Sequence, residues 1–202
     1  YITKVCKGKE LSILDPLCGT GNLLLTISNH LEAKLNLFAC DNDVWMTKIT
    51  ALTADLLSTN VEIYLQDTMN LSLANMDAIV FDMPHWENSN EYFPYKAILH
   101  YRDMLKDEGI MIGLVENDFF SYDKDKKFKD SLLTDMSILG LIELPDEMFK
   151  FSKPKLIIVL QKKLLEDKKC FMVKLPSFTD VKAFNEALID IEAWFEKNNY
   201  NK

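Results

Sequence analysis

The sequence predicts an open, doubly wound α/β domain with a mainly parallel sheet. Three observations carry that expectation. Short apolar runs alternate with stretches of helical periodicity along most of the chain. The runs are continuous rather than alternately apolar and polar, which marks strands covered on both faces. Four of the first five end abruptly in acids, glycines or prolines, at the strand ends where ligands collect in this architecture.

Residues 11–15 (Leu-Ser-Ile-Leu-Asp) read as the first strand, stopped by Pro16 and the turn Cys18-Gly19-Thr20-Gly21. From Asn22, near the cap, Leu23, Leu24, Ile27 and Leu31 recur at helical spacing. A second strand at 35–40 ends at Asp41-Asn42-Asp43, a helix spans 44–58, and a third strand at 61–65 leads to Gln66-Asp67. The fourth strand, 76–81, is stopped by Asp82-Met83-Pro84, and a polar loop runs through residue 90. Then come a helix at 92–105, a strand at 109–115 and a helix at 126–136.

Strands at 138–144 and 156–161 are separated by too few residues for a parallel crossover of about a dozen, so they pair antiparallel. The expected sheet thus has seven strands and a terminal antiparallel hairpin. Residues 1–163 form the main domain and 164–202 an appendage, with a candidate edge strand at 170–175 and a helix at 179–196. Ala183, Phe184, Ala187, Leu188, Ile191 and Phe195 give that helix one apolar stripe. Packing on the main domain is its expected role, with a homodimer contact as the alternative.

Composition removes several classes. The 202 residues are 48% apolar with six glycines and six prolines, which excludes collagen-like and linker-rich chains. No apolar run approaches the roughly 18 residues of a membrane span, and no basic-flanked leader opens the chain, so a cytoplasmic protein is expected. Four cysteines show no C-x-x-C spacing and three histidines are scattered, so no metal site is expected. Cys18 and Cys40 read as small buried apolar groups. The charge of −8, from 31 acids and 23 bases, opposes broad phosphate contact. Nucleic acid would need a local basic patch or a further domain.

Chemistry gathers at the strand ends. Gly19 and Gly21 let the backbone bend and approach a ligand. A dinucleotide fingerprint would need glycine where Leu24 stands, and no Gly-Lys-Ser/Thr follows for a phosphate loop. The turn, entered through Pro16 and carrying Thr20 and Asn22, can offer backbone donors to a carboxylate while Asp15 can face an ammonium group. That pair suits the methionine end of S-adenosylmethionine. Asp41, beside Asn42, can accept from ribose hydroxyls, with Asp43 as the alternative or as a helix cap. Asp67 can accept from an adenine amino group. At Asp82-Met83-Pro84-His85-Trp86, Asp82 and a backbone carbonyl beside Pro84 can hold the two hydrogens of an exocyclic amine. That amine is a weak nucleophile, its lone pair being delocalised into the ring, and His85 or Trp86 can stack on the base.

The run from Asp15 to Leu24 closely resembles the cofactor loop of N6-adenine-specific DNA methylases, including type I restriction modification subunits and their small solitary bacterial relatives. The likeness continues through Asp41, Asp67, Asp82-Met83-Pro84, the run Leu144-Pro145-Asp146-Glu147-Met148-Phe149, and Ile157-Ile158-Val159-Leu160-Gln161-Lys162-Lys163. It implies a Rossmann-like class I methyltransferase that uses S-adenosylmethionine without a metal. Adenine N6 in DNA is the implied acceptor, with Asp82, Pro84, His85 and Trp86 at the target. Two departures stand out. The family's Asn/Asp-Pro-Pro-aromatic has Met83 and His85 in place of proline and aromatic. A helical region usual before the first strand is also expected to be missing, and DNA contacts with it. The competing expectations are a methyltransferase acting on RNA, protein glutamine or a small molecule, and a non-catalytic cofactor-binding or assembly protein.

Overall fold

A computed structural model describes residues 2, 10–85, 92–165 and 169–197. The elements follow as β1 (Glu10–Asp15), α1 (Asn22–Asn29), β2 (Lys34–Asp41), α2 (Val44–Leu56), β3 (Val61–Leu65) and β4 (Met76–Asp82). After these come α3 (Phe93–Arg102), β5 (Leu105–Glu116), α4 (Lys127–Leu132), β6 (Ser137–Glu143), β7 (Lys155–Gln161), β8 (Phe171–Lys174) and α5 (Val181–Lys197). The strands form one sheet in the order β3-β2-β1-β4-β5-β7-β6-β8. The first five are mutually parallel, and β7 runs antiparallel to both β5 and β6.

The sheet has eight strands rather than seven because Phe171–Lys174 adds to the edge, parallel to β6. Two further boundaries differ. The helix expected at 126–136 is confined to Lys127–Leu132, its entry set by Lys126 in the left-handed region at φ 58°. β5 starts at Leu105, well before 109, and is interrupted where its register with β4 shifts beyond Met76.

Both faces of the sheet are covered, which is why its strands read as uninterrupted apolar runs. On one face Ala97, Ile98 and Tyr101 of α3 join Ile79, Phe81 and Met111 in a single buried cluster. On the other, Leu24 of α1 packs with Ile13, Ala39, Ala78 and Val80. Each fully buried Leu, Ile, Val, Phe or Met side chain among these contributes about 1.5–3 kcal/mol. The stripe on α5 is covered along most of its length, with Ala183, Phe184, Ala187 and Ile191 half-buried. Phe195 is buried, and Trp194 lies 5.3 Å from Phe171 of β8, whereas Leu188 is exposed. Among the described residues no helix is long and apolar enough to cross a membrane.

This topology fixes where a site forms. From β1 the chain moves outward to β2 and β3, then returns to place β4 on the other side of β1. A crevice therefore opens at the carboxyl ends of β1 and β4. The antiparallel β7 brings its first residue, Lys155, to the same rim, opposite Glu116 at the end of β5.

A buried hydrogen bond of 2.9 Å joins the Thr68 and Tyr101 hydroxyls and ties α3 to the segment after β3. Tyr101→Phe leaves the Thr68 hydroxyl without that partner and is expected to cost about 1 kcal/mol in denaturant unfolding. An unchanged midpoint would show that the bond does not support this junction.

Candidate functional site

The turn after β1 is shaped by two left-handed glycines, Gly19 at φ 51° and Gly21 at φ 77°. A Cβ at Gly21 would lie 2.8 Å from Cγ2 of Thr50, so the loop and α2 meet where only glycine fits. Gly21, not Asn22, occupies the cap position of α1. Four contacts lock the turn. The Gly19 amide donates to Asp41 Oδ2 at 2.9 Å and the Cys18 amide to the Cys40 carbonyl at 2.9 Å. The Thr50 hydroxyl donates to the Gly19 carbonyl at 2.9 Å. The Gly21 amide closes the turn on the Cys18 carbonyl at 2.8 Å.

A cleft of about 500 Å³ opens against this turn, lined by Pro16, Leu17, Asp41, Asn42, Asp67, Thr68, Met69, Asp82, Pro84 and Phe93. That volume is in the range of small-molecule sites. Asp41, Asp67 and Asp82 thus reach one cavity from the ends of three different strands. Asp41 also accepts from the Asp43 amide at 2.8 Å through Oδ1. A carboxylate offers about four acceptor positions, so two remain for a diol. Asp43 itself caps α2, accepting from the Trp45 amide at 2.7 Å and the Met46 amide at 3.2 Å. Asp67 accepts from the Met69 amide at 2.9 Å and starts a short 3-10 turn.

Asp15 lies behind the wall of this cleft rather than in it. It is 1% exposed and accepts from the Leu17 amide at 3.1 Å. Burial pushes its carboxyl up to about 7, opposed by that hydrogen bond and aided by the nearby charges of Asp82 and Asp41. Thr20 and Asn22 are exposed on the turn. Cys18 and Cys40 are buried thiols, pushed up to about 12 and about 11 chiefly by desolvation, which favours the neutral thiol over the thiolate.

The end of β4 shows what its unusual sequence does. The Met83 amide donates to the Leu114 carbonyl at 2.9 Å, a bond that proline could not make, and its side chain is 2% exposed. Met83 therefore extends the ladder to β5 by one residue, so the turn is held by pairing instead of by a ring. Beyond it His85 Nδ1 pairs with Oε1 of Glu116, whose other oxygen accepts from Lys153 at 3.1 Å. Lys153 also reaches Asp118 at 3.4 Å and the Tyr122 hydroxyl at 3.2 Å. Tyr122 stacks on Tyr92 at 4.2 Å. His85 is thus an anchored ring at the mouth of the site. Trp86 lies outside the described residues.

Two lysines were not singled out from sequence. Lys155 Nζ pairs with Asp82 Oδ1 and donates to the Met83 carbonyl at 3.0 Å. Lys153, two residues earlier, holds Glu116. The signal for both lay only in their position just before the last apolar run, at the start of a strand whose direction had already been inferred as antiparallel.

The sequence matches the N-6 DNA methylase family over residues 1–192. The Bacillus subtilis protein YtxK is 31% identical over 210 residues, covering 94% of this chain and 64% of that protein. The chain therefore spans just under two thirds of this curated relative. A Listeria monocytogenes structure assigned to the class I S-adenosylmethionine-dependent methyltransferases superposes with a TM-score of 0.86 at 28% identity, covering 96% of this chain and 68% of that one. The methyltransferase subunit of a type I restriction-modification system from Streptococcus thermophilus has the same fold, with a TM-score of 0.77 at 16% identity, covering 96% of this chain and 51% of that one.

The buried Asp15 makes a pH-dependent prediction. Its pKa is raised on folding, so the folded state holds the proton more tightly, and the contribution to stability is largest near pH 4 and declines as pH rises towards 7. Asp15→Asn removes this dependence. Between pH 5 and 8 the wild type should lose about 2 kcal/mol of unfolding free energy relative to the variant. Parallel pH profiles would show that Asp15 ionises normally.

Proposed function

The chain belongs to the N-6 DNA methylase family, and from that premise we propose that it is an S-adenosylmethionine-dependent methyltransferase acting on the exocyclic N6 of adenine in DNA. The observation that carries the proposal is the meeting of Asp41, Asp67, Asp82 and Pro84 in one cleft beside the glycine turn. The cofactor supplies a methyl group on a sulfonium, a leaving group that needs no metal.

The residues divide the work by position. Pro16 and Leu17 line the methionine end of the cleft. Gly19 and Gly21 shape the turn behind them, their amides committed to Asp41 and to the Cys18 carbonyl, and Thr20 and Asn22 are exposed beside it. Asp15 behind them holds the turn by accepting from the Leu17 amide. Asp41 accepts from the ribose hydroxyls with Asn42 alongside, and Asp67 accepts from the adenine of the cofactor. Asp82 and the Met83 carbonyl are the acceptors for the target amine. Holding both amine hydrogens on acceptors draws nitrogen towards sp3 geometry, and the fixed strand ends supply the alignment that in-line transfer needs. Pro84 stiffens the turn, and His85, anchored by Glu116, borders the space for the extruded base.

The test is transfer of labelled methyl from S-adenosylmethionine to DNA, followed by nucleoside analysis, with RNA, glutamine-containing peptides and small amines in parallel. Label on N6-methyldeoxyadenosine is the expected result. Label only on another acceptor would replace DNA in the proposal, and no transfer despite tight cofactor binding would favour a binding or assembly role. Asp82→Ala should abolish transfer and change S-adenosylmethionine affinity by less than about threefold. Asp41→Ala should weaken that affinity about tenfold or more, the scale of a hydrogen bond to a charged group. Unaltered calorimetry for Asp41→Ala would remove Asp41 from the site.

A further inference from the structure

We infer that Lys155 is a resident occupant of the amine position of this site and so determines which acceptor can enter; the inference rests on the proposed roles of Asp82 and Met83. The two acceptors suited to an exocyclic amine are the Asp82 carboxylate and the Met83 carbonyl. Lys155 Nζ makes hydrogen bonds to both, through Asp82 Oδ1 and at 3.0 Å to the Met83 oxygen. A protonated lysine offers three donors and no acceptor, so it occupies these two groups as a target amine would.

The arrangement is built into the sheet. Lys155 opens β7 and stands opposite Glu116 of β5, while Asp82 ends β4 opposite Leu114 of the same strand. Two ladders with a shared strand therefore bring the lysine and the aspartate together. The Lys155 side chain is 18% exposed and that of Asp82 is 52% exposed, so the pair lies at the mouth of the crevice, where a ligand can displace it. Lys153, on the same approach, is committed to Glu116, Asp118 and Tyr122.

The chemical consequence is selective. A neutral amine brings two donors to a place already filled by a donor, and must displace the ammonium to gain its acceptors. A carbonyl at the same position of a purine ring, as in hypoxanthine, can accept from Lys155 where it stands. Lys155 thus raises the threshold for adenine and lowers it for an oxo-purine. Admission of adenine requires the lysine to move onto another acceptor, such as a backbone phosphate of the incoming strand.

The test uses the chain saturated with S-adenosylhomocysteine and two readouts. The first needs no acceptor. In lysine-selective proton–nitrogen spectra the Lys155 ammonium should be protected from exchange in the wild type and lose that protection in Asp82→Asn. An unprotected Lys155 in the wild type would overturn the inference, whatever the protein methylates. The second compares short single-stranded oligonucleotides that carry one adenine or one hypoxanthine in the same sequence. Lys155→Met should tighten the adenine oligonucleotide about fivefold, the scale of a partly exposed ion pair, without tightening the hypoxanthine one. Equal shifts for both, or weaker binding of both, would show that Lys155 acts as a general charge and overturn its selective role. A protected ammonium with no adenine binding by either protein would support the occupancy of the site and sink adenine as the acceptor.

Discussion

The hydrogen bond from the Gly19 amide to Asp41 Oδ2, 2.9 Å long, joins the turn after β1 to the end of β2. The register of the parallel strands already brings those two ends level, with Asp15 opposite Ala39. The bond then fixes the glycine turn against a carboxylate that lines the cleft. Thr50 completes the clamp from α2 by holding the Gly19 carbonyl. Its side chain is where a Cβ on Gly21 would collide. The cleft wall is consequently set by backbone and short side chains, whose few torsions leave little entropy to lose when a ligand binds.

Much of this was legible in the sequence because it is local. Each strand end carries its polar residue within one or two positions of the last apolar one, and the strand-turn-helix around Gly19 is a contiguous signal. The antiparallel hairpin followed from chain length alone, since the segment between β6 and β7 is too short to cross over. The eighth strand was weaker because Phe171–Lys174 is short, with Met172 exposed, so its apolar content says little about pairing. The stripe on α5 was legible too: of its six residues only Leu188 is exposed, because periodicity marks the face that can be buried and the partner surface decides how deeply.

Lys155 and the Glu116 network were illegible for a different reason. Their partners lie between 31 and 73 residues away, and a charged residue before an apolar run is ordinarily a solvated strand end. What turns the lysine inward is that β7 runs opposite to β5, so its beginning rather than its end faces the crevice. The antiparallel pairing of β6 with β7 was predicted; the insertion of β7 between β5 and β6, which delivers a cation to Asp82, was not, and it emerges only when the two ladders are read together.

The departure at Met83 bears on whether this rim remains organised for chemistry. Proline in that position would stiffen the turn through its ring, and methionine is free to rotate about φ. The restored amide, however, bonds to Leu114, and the buried side chain anchors the same residue in the core cluster that includes Phe81 and Phe119. Two independent restraints replace one covalent one, and the Met83 carbonyl is left directed to the rim, where Lys155 finds it. The amide bond, the buried side chain and the lysine contact therefore act on one residue, so the position of the Met83 carbonyl is set by the β4–β5 ladder, the core and β7 together.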